Sequence, residues 1–573
     1  MDMDRRSMLG LGLVAGVGLA AASPAMAATG AATGAEVEGD PTGRYATALA
    51  DIRAYADQHM AAYGLPGLTL SIVGPDGLTA LMRFGYANSD LREPVGPDHL
   101  FQVGSISKSF TALAVFRQME AEKFSLDTDM RDLLPGVPLP SDGPTTVQSL
   151  LSHGSGLPDD APIFPRGGDE KLWRGFSPMS QWSYSNLGFM LLSTLVERTA
   201  GRPFQAVLKH EVLDPLGMTA TRPAILTADR TLYAAGHSPL YSDRGFPRAG
   251  PLGAAPWVDM IEGSGCVAST GRDMGRYMRY LIQAGAGHGA PLLSDANGLR
   301  FCKPAIDAPG WAVKGAKYAN GLAVVPVEGR PLLHHTGGML SFNSAIHVDP
   351  VAGVGAFAST NVGLIPYRPR DLTAYACARL RAVIEGGPSP IPAPAPPKTP
   401  DATDYLGRYV SRAGEVLEIR AASRGVSAVA GGRSVDMELA DEDAFIAIEP
   451  RQAVHPLVFR RKDKAVIRAW WGETEYVRQG AAATTFTAET SARLAAHTGR
   501  YVSDDPWRGG FQVTAQGETL FLDGVTPLVL LSDGGFRAGD KVWSPERVRF
   551  EAPLGGRPQR AVVSGVDYLR RPT

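Results

Sequence analysis

Three cysteines in 573 residues cannot form the disulfide framework of a chain this long. Cys266, Cys302 and Cys377 lie far apart and lack the spacing of a metal site. They are expected as buried small hydrophobes, with one pair able to bridge in an oxidising compartment. Charge of one sign is equally scarce. Lysine and arginine number 56 against 58 aspartate and glutamate, a formal net charge of −2. That balance gives no basic footprint for nucleic acid or an anionic membrane. No charge run or heptad repeat occurs, and the apolar run from Met8 to Ala22 is too short to span a bilayer. What remains is ordinary for a soluble globular protein with ample core: 44% hydrophobic and 20% charged residues.

The N-terminus reads as an export signal. Arg5-Arg6 precede that apolar run, and Ala25-Met26-Ala27 offers a small-residue cleavage site. Twin arginines before a mild apolar segment predict a twin-arginine type signal over residues 1–27, delivering the chain to the periplasm or the medium. No stable membrane insertion is expected after cleavage, and residues 28–44 read as a flexible leader.

The length suggests about three or four domains. Tyr45, Leu49, Ile52, Tyr55 and His59 recur at helical spacing before Gly64 and Pro66 end the pattern. Leu68–Val73 and Leu78–Tyr86 predict a hairpin about a Gly74-Pro-Asp-Gly77 turn. Helical and loop patterns then dominate until strands return at Leu332–Thr336, Asn343–Val348 and Val354–Ser359, before a closing helix from Arg370 to Ile384. This predicts an α+β domain over 45–385, with a sheet drawn from both ends of the segment and helices packed on it. From Pro388 to Pro400, seven of thirteen residues are proline, which predicts a stiff linker over 386–400.

Beyond the linker an internal repeat appears. Gly407-Arg-Tyr-Val-Ser411 recurs as Gly499-Arg-Tyr-Val-Ser503, and Tyr476-Val-Arg478 recurs loosely as Tyr568-Leu-Arg570. The offset is 92 at both ends (501 − 409 and 568 − 476). Two duplicated modules, 401–482 and 492–573, are expected as small antiparallel β-barrels, the repeated Tyr and Arg marking closing strands rather than a binding site.

The chemistry concentrates in Phe101–Phe110. Ser105 and Lys108 stand three apart at the start of a helical pattern, so their side chains share one face. A serine hydroxyl needs an adjacent base before it is a nucleophile, and burial or a nearby cation must favour the neutral lysine for that role. Exposed N–H groups at the helix start suit a carbonyl oxygen that gains negative charge.

With Ser105-x-x-Lys108, Tyr184-x-Asn186 and His335-Thr336-Gly337 in that order, the chain resembles the serine β-lactamase and penicillin-binding superfamily. Tyr184-x-Asn186 points to its branch of AmpC-type β-lactamases, DD-carboxypeptidases, D-aminopeptidases and related esterases. The Leu150-Leu-Ser-His-Gly-Ser-Gly-Leu-Pro158 segment and Gly263-Ser-Gly265 look like this branch too. The resemblance implies a β-lactamase/DD-peptidase-like antiparallel sheet with helices on both faces, followed by two lipocalin-like barrels in the layout of D-aminopeptidase.

The resemblance makes Ser105 the nucleophile of an acyl-enzyme and has Lys108 and Tyr184 share proton handling, the acylation base being left open between them. Asn186, His335, Thr336 and Gly337 would bind substrate, with the oxyanion hole formed by the N–H groups of Ser105 and Gly338. His153 is expected as a structural loop histidine outside the site. No metal or other cofactor is implied. His335 stands where penicillin-binding proteins and AmpC-type enzymes usually carry lysine, which weakens the case for a substrate carboxylate there. The expected activity is exported hydrolysis of amide bonds in small peptides, D-residue-containing or cell-wall-like. An esterase, a β-lactamase or a non-catalytic penicillin-binding protein are the alternatives. Small peptides or esters are the expected partners, with a homo-oligomer possible and no nucleic acid.

Overall fold

The computed structural model describes residues 36–39, 43–165, 171–241, 243–311, 313–387, 391–394, 401–480 and 485–571. The expected signal, residues 1–27, lies outside them, as do most of the leader and part of the proline-rich linker. Within the leader, however, Glu36–Gly39 forms a strand (β1) where no structure was expected. Helix α1 (Ala46–Tyr63) and the hairpin of β2 (Gly67–Gly74) and β3 (Gly77–Asn88) follow, turning at Pro75-Asp76. Four more elements concern the site or its sheet: α2 (Ser107–Glu120), α3 (Asn186–Ala200), α4 (Gly271–Gly285) and β4 (Ala323–Val327). The segment closes with β5 (Arg330–Gly338), β6 (Asn343–Asp349), β7 (Val354–Thr360) and α5 (Arg370–Glu385).

These strands form one antiparallel sheet in the order β1-β3-β2-β7-β6-β5-β4, continued by Lys317–Tyr318 and Ile306–Asp307. The pairing of β2 with β7, Leu70 opposite Ala358, joins the early hairpin to the late strands. Every residue of β2, β6 and β7 is buried, because helices cover both faces: α4 packs on β2 and β7, and α5 on β6, β7 and α1. Helix α2 is apolar at helical spacing and is also buried all round from Ser107 to Phe116. Its hydroxyls are therefore all bonded inside: Ser107 Oγ accepts from Val267 N, Ser109 Oγ donates to Ile106 O, and Thr111 Oγ1 donates to Gly263 O.

The chain divides into two compact units. One comprises Met26–Ser238 and Leu252–Pro396; the other takes Pro397–Thr573 together with the short strap Pro239–Pro251. The strap interrupts what the sequence suggested was one continuous domain over 45–385. Its place with the barrels has an electrostatic reason. Arg248 Nε donates to the buried Glu438 carboxylate at 3.1 Å, and Arg424 pairs with the same carboxylate. Arg244 donates to Pro450 O, and Asp243 pairs with Arg500 at 3.4 Å.

Both repeats are closed eight-stranded antiparallel barrels. In the first, Gly407–Ser411 pairs with Thr474–Arg478; in the second, Gly499–Val502 pairs with Val566–Arg570. The repeated residues do the same work in each. Tyr409 donates to Tyr405 O at 2.8 Å, and Tyr501 to His497 O at 3.0 Å. Arg478 bonds the carbonyls of Asp404 and Leu406, and Arg570 those of Ala496 and Thr498. An arginine stretched over a buried tyrosine thus ties the entry segment of each barrel to its last strand.

Candidate active site

Ser105 sits in a single 3₁₀ turn, Gly104–Ile106, that runs into α2. The turn is clamped from two sides. Val103 N donates to Val267 O at 3.0 Å, and Ser344 Oγ donates to Val103 O at 2.8 Å. Gly104 has φ +54°, and a Cβ on it would stand 2.7 Å from Gly338 N, so only glycine lets the turn approach the end of β5.

Lys108, one turn on, is fully buried. Its Nζ lies 3.1 Å from Ser105 Oγ, 2.6 Å from Asn186 Oδ1 and 2.7 Å from Ser264 O. The last contact comes from the Gly263-Ser-Gly265 loop. That loop is held where Thr111 Oγ1 takes Gly263 O and Ser193 Oγ accepts from Gly263 N. Cys266, next along, is inert: burial pushes its thiol up to about 12.

Asn186 is the first residue of α3, whose cap Ser185 accepts from Gly188 N. Its amide is oriented from both ends. Asn186 Oδ1 faces the lysine, Asn186 Nδ2 donates to Asp160 Oδ1 at 2.8 Å, and Asn186 N donates to Asp159 Oδ1. Tyr184 sits two residues earlier, buried, with Lys108 Nζ 4.9 Å from its ring centroid. Trp311 stacks on the Tyr184 ring at 5.6 Å and 13°, and His153 packs on it at 4.2 Å. His153, which sequence reasoning left outside the site, therefore backs the phenol and also accepts from Ser185 N.

The remaining residues are on β5. His335 Nδ1 bonds Thr336 O at 2.6 Å, and His335 Nε2 lies 2.9 Å from the Tyr318 hydroxyl. A carbonyl can only accept, so Nδ1 carries a proton and Nε2 is the nitrogen that faces the Tyr318 hydroxyl. Gly337 lies so close to Val103 O that any Cβ would collide with it. Met339 N bonds Phe342 O, so antiparallel alternation turns the Gly338 N–H away from β6. Pairing with β4 ends at His334, leaving that amide beyond the strand partner and beside the Ser105 turn.

Ser105, Lys108, Tyr184, Asn186, His335, Gly337 and Gly338 are thus drawn together from three separate stretches, with Thr336 between the last group's members. Sequence reasoning missed Asp160, Trp311 and Tyr318, and it singled out the Gly263-Ser-Gly265 loop without assigning Ser264 a contact. Tyr318 and Trp311 carried no motif signal, and Ser264 contributes only a backbone carbonyl, which any residue type could supply. Among the described residues no group of three or more His, Cys, Asp or Glu is placed to hold a metal ion.

The family model described as Beta-lactamase matches residues 52–380. Penicillin-binding protein 4 of Amycolatopsis lactamdurans is 27% identical over 61% of this chain and 94% of its own. The D-alanyl-D-alanine-carboxypeptidase/endopeptidase AmpH of Escherichia coli K12 is 26% identical over 53% of this chain and 81% of its own length. A D-aminopeptidase of Gluconobacter oxydans reaches 31% identity over 27% of this chain, a third (33%) of that enzyme. The octameric penicillin-binding protein homologue of Pyrococcus abyssi superposes with a TM-score of 0.55 at 23% identity, over 75% of this chain and 100% of that one, and shows the shared fold. Because the matched span takes in the Ser105 turn, Asn186 and the β5 edge alike, the chain belongs to the Beta-lactamase family of serine hydrolases.

Proposed function

We propose that the protein is an exported acyl-serine hydrolase that cleaves amide bonds in small peptides, D-residue-containing or cell-wall-like. The observation that carries this reading is the environment of Lys108 Nζ. Asn186 Oδ1 and Ser264 O can only accept, so they take two N–H groups. A neutral amine then has only its lone pair left for the third contact, Ser105 Oγ at 3.1 Å. Lys108 takes the serine proton as Oγ bonds the substrate carbonyl carbon, and the carbonyl oxygen takes up the electron pair. The N–H groups of Ser105 and Gly338 receive that charge. Collapse expels the amine, which leaves with the proton returned by the Lys108–Tyr184 pair. Water then attacks the acyl carbonyl carbon and gives its proton to the Lys108–Tyr184 pair; as the carbon–Oγ bond breaks, that proton passes to Ser105 Oγ and the carboxylic acid leaves.

His335 in the place of a lysine supports peptides over β-lactams. A histidine engaged at both ring nitrogens is not the fixed ammonium that a substrate carboxylate would meet in a lysine. The twin arginines Arg5-Arg6 support export. Turnover of D-alanyl p-nitroanilide, p-nitrophenyl butyrate and nitrocefin, compared on the same preparation, tests the reading. The anilide is expected to show the highest kcat/KM and Ser105→Ala none. Preference for the butyrate makes it an esterase, preference for nitrocefin a β-lactamase, and hydrolysis surviving in Ser105→Ala excludes the mechanism.

A further inference from the structure

We propose that Arg368 strengthens the oxyanion hole from behind, acting through the Gly337–Gly338 peptide. The inference rests on the acyl-serine reading above. Arg368 Nη1 donates to Gly337 O at 3.0 Å and also to Asn343 Oδ1, across from Gly338 in the β5–β6 register. The guanidinium lies against Gly338 so closely that a Cβ there would run into it.

Two geometric facts set what this contact does. First, the carbonyl of Gly337 and the N–H of Gly338 are the two ends of one trans peptide and point in opposite directions. The carbonyl faces β6 and Arg368, and the N–H faces the Ser105 turn. Second, successive residues of a strand direct Cβ to opposite faces. Gly337's Cβ direction points at Val103 O, on the nucleophile's side, so Gly338's points to the far face, where Arg368 lies. Arg368 is therefore a positioning residue. A cation at the oxygen end of a peptide draws density from the nitrogen end, which makes that N–H a stronger donor, and it holds the unit at a fixed angle. A strand end made of two glycines needs such a brace, since it has no side chains to pack.

Phenylboronic acid reports on this directly. Ser105 Oγ bonds the trigonal boron, the serine proton passes to the Lys108 amine, and the tetrahedral boronate anion places an oxygen where the oxyanion forms. Its dissociation constant is measured for wild type, R368K, R368Q and N343A, alongside kcat and KM for the best ester or anilide and the melting temperature. R368Q is expected to bind boronate at least about 10-fold more weakly and to lose kcat in the same ratio, with KM within about 2-fold of wild type. R368K, which keeps the charge, is expected between R368Q and wild type. N343A, which removes the guanidinium's anchor, is expected to weaken boronate binding as well, and with R368K it carries the test if R368Q does not fold. A boronate affinity in R368Q equal to wild type, or R368K no better than R368Q, overturns the inference. If wild type itself forms no adduct on Ser105 by ¹¹B NMR, the acyl-serine reading fails and takes this one with it. An adduct that ignores Arg368 sinks this one alone.

Discussion

Lys108 is buried, and Asn186 Oδ1 and Ser264 O beside its Nζ can only accept, which is why the proposed chemistry turns on this residue. Replacing it by alanine is expected to lower kcat by at least about 10² while the melting temperature changes little. Water entering the vacated space can satisfy Asn186 Oδ1 and Ser264 O, so folding loses little while proton transfer loses its base. An unchanged kcat would remove Lys108 from proton transfer. Gly338→Ala has a steric cause instead. The new Cβ meets the Arg368 guanidinium and displaces the amide beside Ser105. A loss of about 10²–10³ in kcat is expected, as for the removal of one oxyanion donor. At this scale the sequence was readable wherever the chemistry depends on side-chain type. Ser105, Lys108, Tyr184, Asn186 and His335 each stand in a short motif. Asp160 and Tyr318 act by orienting one of these residues, across 26 and 17 positions of chain, and no local spacing announces such a role.

Among the elements, β5 and α1 carry buried histidines whose neutrality the fold requires. Burial lowers His334 to about 3, with the Arg370 charge acting the same way, and lowers His59 to about 4. His347, stacked on His334 at 4.0 Å, is likewise held well below the usual histidine range by burial. These groups bind protons more weakly folded than unfolded. The stability they contribute is therefore complete above about pH 6.5 and is lost as pH falls from there toward their folded values. The melting temperature is expected to be flat from pH 8 to 7 and to drop steadily between pH 6 and 4, with a shallower drop in His334→Gln. A slope unaffected by that substitution would assign the acid sensitivity elsewhere. The strands were legible because β6 and β7, buried throughout between helices, and the middle of β5 carry β-forming apolar residues such as Leu332, Leu333, Ile346, Val348, Val354 and Phe357. The short strand β1 was not, since four residues with two glutamates gain their strand geometry only from pairing with β3.

For the whole molecule, the strap Pro239–Pro251 is the feature that local pattern does not foretell. Glu438 is buried and receives both Arg248 and Arg424, so truncating Glu438 leaves two guanidiniums without their shared carboxylate, whereas truncating Arg248 leaves Arg424 on it. A double-mutant cycle of R248A and E438A is expected to give a coupling of about 0.5–3 kcal/mol in the unfolding free energy, and a coupling of zero would mean the strap is merely adjacent. All three thiols are buried and unbridged, so a thiol reagent is expected to label fewer than one per native chain and three after denaturation.

By itself the sequence determined the α+β sheet with its helices and the duplicated barrels, and it supplied the side chains proposed to react. Those depend on hydrophobic period, on a repeat of closing residues at one constant offset, and on which atoms can donate, accept or attack. Only the tertiary structure decided how Lys108 is coordinated, which ring nitrogen of His335 faces Tyr318, and where the Gly338 amide points. Each of those is set by backbone carbonyls and by side chains distant in the chain, and a carbonyl leaves no mark on the residue that bears it.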